Sequence, residues 1–431
     1  MISSKEHYEQ MRKVLVCSIP CWNKKTGSDT LSTLFAGYES EKIANIYIQD
    51  GVPDSKVCVN YFHISESEVI KSIVNKRVHT GEKVEFTDEK SESNVASAIN
   101  KYKGRARKRN YLLLLIREFL WKIGCWKSKE LKCFLDEFNP EVVFFPMEGY
   151  IYFNRINRYI LKYTKAKGIG YFWDDNFTYR QSGILGHRIY RFFQRRDLKK
   201  TVELCDDFFA IAPKTKKEAD EFFNINCKIL TKFIDFTDVK FNDVIINTPL
   251  KMIYTGKLII GRLDTIRLIG EALDVINKDE VKIELDIYTA TILDIKQLDD
   301  LSPYVHIMGA VPQTEVSKIQ NNADILLFAE AIEGENSKVA RLSFSTKLTD
   351  YFRSGKCILA VGNKETAPIE YLLHEDAALV ATNVEEIIGI LKLLVNDNNI
   401  VSSYAIKAYE CGKRNHNKEI NQKLLFETLN S

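Results

Sequence analysis

Arg341-Leu-Ser-Phe-Ser-Thr-Lys-Leu-Thr-Asp-Tyr-Phe-Arg-Ser-Gly-Lys-Cys-Ile-Leu-Ala-Val361 is the stretch on which the fold turns. Ser345 and Thr346 suit a helix N-cap, the helix is expected to run to about Ser354, and Gly355 suits its C-terminal stop. Cys357 to Val361 then reads as a buried strand. A loop, a helix N-terminus and a strand follow one another as in an α/β unit. Free N–H groups at such a terminus favour an anion, and Lys347 adds a full positive charge beside them. Asp350, one turn on, is placed to accept hydrogen bonds from a ribose diol. The unit suits a nucleotide diphosphate.

Outward from this stretch the same alternation recurs. Before it, Leu250–Tyr254, Lys282–Tyr288, Val305–Met308 and Ile325–Phe328 read as strands, and Ala377–Val380 follows it. In the first half, Lys13–Ile19, Ile43–Ile48, Val57–Phe62, Glu141–Phe145, Ile169–Phe172, Asp207–Ile211 and Lys228–Thr231 are strands. Helices are expected at Glu66–Asn75, Leu112–Ile123, Ile151–Lys167, Leu185–Leu204 and Lys214–Phe223. Short apolar runs alternating with helical patterns imply an α/β protein with parallel sheets. The polar link near Phe236–Thr248 separates two such halves, expected as Rossmann-like domains at 1–240 and 241–412 facing a cleft. The tract 80–100, rich in Ser, Glu and Lys, reads as a mobile insertion, and Ser402 to Leu429 is helical in pattern.

The 431 residues exceed one ordinary core, and the 45% apolar share is that of a globular protein. A net charge of +3 gives no global sign of a nucleic-acid binder. The nine cysteines are scattered without a Cys-x-x-Cys pair, which points to reduced thiols in a cytoplasmic protein. No run reaches the roughly 18 to 20 apolar residues of a membrane span, and Met1 to Arg12 does not read as a signal peptide.

Gly256 and Lys257 end the first strand of the second half, and Arg262 follows. Two cations beside a glycine at the carboxyl end of a strand suit a diphosphate leaving group, and equally a glycine turn with solvated charges. In the first half, Thr26-Gly27-Ser28-Asp29-Thr30 can present N–H groups to a donor phosphate or to an acceptor. Asp174 and Asp175 follow one strand and Glu148 another, as acid/base groups, acceptor ligands or helix caps. No His/Asp/Cys set has metal-ligand spacing, so no metal is expected, and neither a Gly-x-Gly-x-x-Gly fingerprint nor a Walker sequence occurs. Two basic-aromatic tracts, 101–126 and 188–196, carry cations beside Leu, Phe and Trp, as a segment resting on an anionic membrane surface would. RNA or plain solvation would use the same residues.

On the residues around Ser345–Asp350, with the Gly256–Arg262 pattern, the chain resembles the retaining GT-B glycosyltransferases of family 4, in their bacterial capsular and exopolysaccharide branch. Asp350 takes the place of the second glutamate of that family's Glu-x7-Glu motif, and the first is replaced by Leu342. The family's Gly-Arg and following Lys appear as Gly256-Lys257 and Arg262, exchanged in type. The resemblance implies a nucleotide-sugar donor held by Gly256, Lys257, Arg262, Ser345, Thr346, Lys347 and Asp350, with the nucleobase near Val311 in His306–Val311. It places the sugar-binding loop at Glu330, Glu333 and Glu335, any one of which stands in for the missing glutamate. It also implies retention, no metal or cofactor for the chemistry, a glycan or lipid-linked acceptor, and a final helix, 413–431, returning to the first domain. An inactive GT-B partner of an active transferase, a sugar-nucleotide epimerase or a phosphorylase are the alternatives. A phosphorylase would carry a pyridoxal phosphate lysine in a recognisable context, which is not found.

Overall fold

The computed structural model describes residues 11–23, 30–85, 111–180, 185–237, 239, 241 and 246–431. Gly27, Ser28, the 101–110 part of the basic tract and the 86–100 part of the expected insertion lie outside these residues.

The chain folds as two compact units. The first comprises Met1–Phe172, Asn176–Phe209 and Phe426–Ser431; the second comprises Trp173–Asp175 and Ala210–Leu425. Among the described residues fourteen strands form two sheets. The first sheet contains β1 (Val14–Cys17), β2 (Ile43–Tyr47), β3 (Asn60–His63), β4 (Glu82–Val84), β5 (Val142–Pro146), β6 (Lys167–Phe172), β7 (Asp207–Ala210) and β8 (Lys228–Ile229), in the order β4-β3-β2-β1-β5-β6-β7-β8. β1 pairs in parallel with β2 and β5, and β4 is antiparallel to β3. β4 corrects the reading of the 80–100 tract. Glu82 and Lys83 are exposed and Val84 is half-buried, because an edge strand needs only its ladder and no fully buried face.

The second sheet contains β9 (Leu250–Thr255), β10 (Ile283–Tyr288), β11 (Val305–Gly309), β12 (Ile325–Ala329), β13 (Cys357–Val361) and β14 (Leu379–Ala381), in the order β11-β10-β9-β12-β13-β14. Every neighbouring pair in it is parallel. Strands covered on both faces must be apolar throughout, and β12 and β13 are buried at every residue. The strand order reverses at β9, so β9 and β12 start crossovers that leave in opposite directions. The pairing of β9 with β12 lasts only from Met252↔Ile325 to Ile253↔Leu326. Beyond it the Tyr351 hydroxyl donates to the Leu327 carbonyl at 3.0 Å, satisfying an acceptor outside the β9–β12 register. A crevice at the carboxyl ends of β9 and β12 is the ligand position such a sheet offers.

Helices also depart from expectation in two places. Lys129–Phe138 is a helix opened by Ser128, whose hydroxyl accepts from the Leu131 N–H at 3.1 Å. The C-terminal pattern is two helices, Asn398–Asn415 and Lys418–Asn430, divided where Asn417 bridges to Ile234. The last residues return to the first unit: Asn430 Oδ1 accepts from the Arg12 N–H at 2.9 Å, and the Tyr38 and Phe426 rings meet edge-on at 5.1 Å. Among the described residues no helix is long and apolar enough to cross a membrane.

Candidate functional site

The chain leaves β9 through Gly256, whose φ of 145° is open to glycine and strained for other residues. A β-carbon there would stand 2.0 Å from Lys347 Nζ, so the missing side chain is what admits the lysine. Lys347 opens the helix Lys347–Ser354. Its ammonium lies 4.7 Å from the centre of the Tyr254 ring and donates to Tyr254 Oη at 3.2 Å. The Tyr254 hydroxyl donates in turn to the Lys257 carbonyl at 2.9 Å, fixing the loop. Burial pushes the Lys347 pKa down to about 7, the nearby Arg262 charge acts in the same direction, and Glu330 opposes both. The group meets a phenol where a buried ammonium would ordinarily meet a carboxylate.

The N-terminus of this helix differs in detail from the expected hydroxyl cap. Thr346 already has helical dihedrals, φ −65° and ψ −14°, and no side chain caps the helix. The Leu348 N–H instead donates to the Ser345 carbonyl at 3.2 Å, closing a tight turn. N–H groups left without a side-chain acceptor are the polar end that an anion satisfies. Gly355 closes the helix at φ 59°, as its sequence position implies.

Arg262 begins the helix Arg262–Ile276 and aims its guanidinium at Glu330, the first residue beyond β12. Nη2 donates to the two Glu330 oxygens at 2.8 and 3.1 Å, and Nε donates at 3.2 Å. Glu330 is held from behind: its N–H donates to the Val361 carbonyl at 2.9 Å, and the Thr265 hydroxyl donates to its own carbonyl at 2.7 Å. The Glu330 side chain is 4% exposed and that of Arg262 17%, so the pair is largely withdrawn from water. The crevice thus holds two cations and one carboxylate, and the carboxylate is committed to Arg262.

The other expected residues are distributed as follows. Lys257 is exposed on the same loop as Gly256. Asp350 is half-exposed, with Lys232 Nζ 3.9 Å away. Val311 is partly exposed just past β11. Glu333 is exposed and precedes the helix Gly334–Val339 without capping it through its side chain, while Glu335 pairs with Lys338 at 2.8 Å. Asp174 and Asp175 belong to the second unit, where Asp175 is buried against Arg341 Nη2 at 3.0 Å and Asp174 accepts from the Ser343 hydroxyl. Arg341 also grips Glu218, and the Thr215 hydroxyl donates to the Leu342 carbonyl at 3.0 Å. These contacts pin the segment that leads into Lys347. Tyr254, Tyr351, Arg341 and Glu218 were given no role by the sequence. The one signal for Tyr254 and Tyr351 is a phenol in an otherwise buried apolar run, which needs a polar partner.

No family model matches the chain, and no curated protein matches it significantly. Solved structures do match in fold. HepE of Anabaena, in complex with UDP and glucose, is 10% identical, with a TM-score of 0.58 over 97% of this chain and 100% of that one. The α,α-trehalose 6-phosphate synthase of Burkholderia multivorans is 8% identical, with a TM-score of 0.58 over 97% of this chain and 98% of that one. TarM is 9% identical, with a TM-score of 0.61 over 98% of this chain and 99% of that one. The architecture is GT-B.

Proposed function

We propose that the chain is a glycosyltransferase whose second unit binds a nucleotide-sugar donor at the β9–β12 crevice. The carrying observation is Lys347, a half-buried amine at an open helix N-terminus whose contact is a phenol. A donor diphosphate gives that amine a counter-charge and gives the helix N–H groups an acceptor. Lys257, Arg262 and Lys347 then stabilise the nucleoside diphosphate as it leaves, which is the role a metal would otherwise fill. Gly256 admits the phosphate, Asp350 holds the ribose, and Val311 lies on the nucleobase side. Glu330 is the loop acid that stands where the resemblance expects a glutamate. The fold neighbours support a uridine donor, since HepE is described with UDP-glucose and the synthase of Burkholderia xenovorans as UDP-forming.

The finer reading is transfer with retention to a lipid-linked glycan acceptor, in cytoplasmic capsule or exopolysaccharide assembly. Attachment to the inner membrane face is favoured by the helices Tyr111–Ile123 and Leu185–Val202, whose Ile116, Phe119, Ile123, Ile189, Phe192 and Phe193 are exposed. The helices touch where the Tyr111 and His187 rings stack at 4.6 Å.

Calorimetry with UDP and UDP-glucose tests the donor reading. Saturable binding that Lys347→Met weakens about tenfold or more is expected, as for a lost charge-assisted contact; equal affinity in parent and variant would remove Lys347 from the site. A second reading, an inactive partner of an active transferase, is favoured by the fully buried Leu342 at the place of the missing glutamate. Slow release of UDP from UDP-glucose without acceptor separates the two, because an inactive partner releases none.

A further inference from the structure

Tyr254 is the last residue but one of β9 and is 1% exposed, so its ring belongs to the core while its hydroxyl meets the loop and the helix start at the carboxyl end of the strand. That hydroxyl has a single proton, and the Lys257 carbonyl accepts it at 2.9 Å. The phenol oxygen therefore faces Lys347 as an acceptor, and Nζ donates to it at 3.2 Å. The ring adds attraction, with Nζ 4.7 Å from its centre, yet a ring face sets no direction for the N–H groups of an ammonium. The hydroxyl does set one. An ammonium has three donors, so one directed at the phenol leaves two for other acceptors. A carboxylate in the place of the phenol would hold the amine as well, but it would cancel the charge that an anion is to meet. The charges facing Lys347 from neighbouring elements are Arg262 and Glu330, which act on it in opposite directions and are paired with each other. Asp350, on the lysine's own helix, has Lys232 Nζ 3.9 Å away. Gly256 clears the space for the contact, since a β-carbon there would stand 2.0 Å from Lys347 Nζ and 3.4 Å from the Tyr254 hydroxyl.

We propose that Tyr254 is a positioning residue of the crevice: its hydroxyl ties the β9 loop to Lys347 and presents the ammonium to the donor diphosphate with its charge uncancelled. The inference rests on the donor reading and deepens it by assigning what aims the cation. Two consequences separate this role from plain filling of the core. The acceptor favours the charged amine, so removing the hydroxyl moves the Lys347 titration to lower pH. Without the hydroxyl the lysine side chain is also free to wander over the ring, so ordering it falls to the anion and binding weakens. Tyr254→Phe keeps the ring, its burial and its attraction for the ammonium, and removes the hydroxyl alone.

The test uses the full chain with two readouts. In ligand-free protein carrying lysine labelled with carbon-13 at Cε, the Lys347 signal is identified by its loss in Lys347→Met and followed with pH. It should titrate near 7 in the parent and at lower pH in Tyr254→Phe. Calorimetry with UDP at pH 7 should show binding about three- to tenfold weaker in Tyr254→Phe than in the parent. In the Lys347→Met background the same substitution should change UDP affinity by no more than about twofold, because the hydroxyl acts through the lysine. Should Tyr254→Phe not fold, the parent supplies a measurement that needs no change at Tyr254. Protons held over a ring face are shielded, so the ε-CH2 protons of Lys347 should lie upfield of those of the other lysines, and an unshifted signal would overturn the proposal. UDP binding with an unmoved Lys347 titration, with equal or tighter affinity in Tyr254→Phe, or with the same loss whether or not Lys347 is present would overturn the role of Tyr254 alone. A parent that binds neither UDP nor UDP-glucose would overturn the donor reading and, with it, the role that rests on it.

Discussion

Lys347 is the residue whose protonation couples the crevice to solution conditions. Its folded pKa of about 7 lies below the ordinary lysine value, so between the two the unfolded chain binds more protons and folding stability rises with pH across that window. Anion binding has the opposite sign, because the diphosphate prefers the ammonium form. UDP affinity is expected to hold below about pH 7 and to fall above it by up to about tenfold per unit until the bound-state pKa is reached. Calorimetry at pH 8 in two buffers of different ionisation enthalpy should register proton uptake, and Lys347→Met should abolish it. Arg262 behaves differently because it is already engaged. Arg262→Ala strands Glu330 at 4% side-chain exposure, and uncompensated burial of a charge costs about 3 to 5 kcal/mol. Arg262→Gln combined with Glu330→Gln should cost far less, and urea denaturation of the three proteins distinguishes the cases. If Arg262→Ala were as stable as the double variant, the pair would not be a buried one in solution.

At the scale of the element, the β9 loop and the helix Lys347–Ser354 act as one fitting. Gly256→Ala would strain a backbone at φ 145° and force Lys347 aside, so it should lower UDP affinity about as much as Lys347→Met does. Combined with Lys347→Met, the alanine should add little further loss, a coupling that a double-mutant cycle measures. Simple additivity of the two losses would refute the fitting. The strands were legible because a two-sided parallel sheet requires continuous apolar runs such as Ile325–Ala329 and Cys357–Val361. The helix Lys129–Phe138 was missed although Leu131, Phe134, Leu135 and Phe138 form its buried stripe, because its charged residues masked a short pattern. The position of Lys347 was legible from its place at a helix start. The commitment of Arg262 to Glu330 was not, since the partners are 68 residues apart and only the parallel neighbourhood of β9 and β12 brings them together. The partners of Asp174 and Asp175 escaped for the same reason: sequence places carboxylates at a strand end without naming the Ser343 hydroxyl and the Arg341 guanidinium that meet them.

On the scale of the whole molecule, acid should act on the second unit through His416. That ring is fully buried, packed against Phe352 at 5.1 Å and hydrogen-bonded to the Tyr371 hydroxyl at 2.9 Å, and burial pulls its pKa to about 4. The unfolded chain takes up a proton near the ordinary histidine value of about 6.5, so the stability contributed by the neutral ring is lost as pH falls from there towards 4. Chemical denaturation between pH 7 and 4.5 should show a falling midpoint, and His416→Gln should flatten the slope; an unchanged slope in the variant would assign the acid response elsewhere. The composition of the first unit has a consequence for biosynthesis. Its strands lie early in the chain, yet Phe426–Ser431 belong to it, with Lys167 Nζ donating to the Thr428 carbonyl at 3.0 Å and to Ser431 Oγ at 2.8 Å. A ribosome must therefore emit the second unit as far as Leu425 before the first has all its parts, leaving the earlier-made half to wait, incomplete, for residues made after its neighbour.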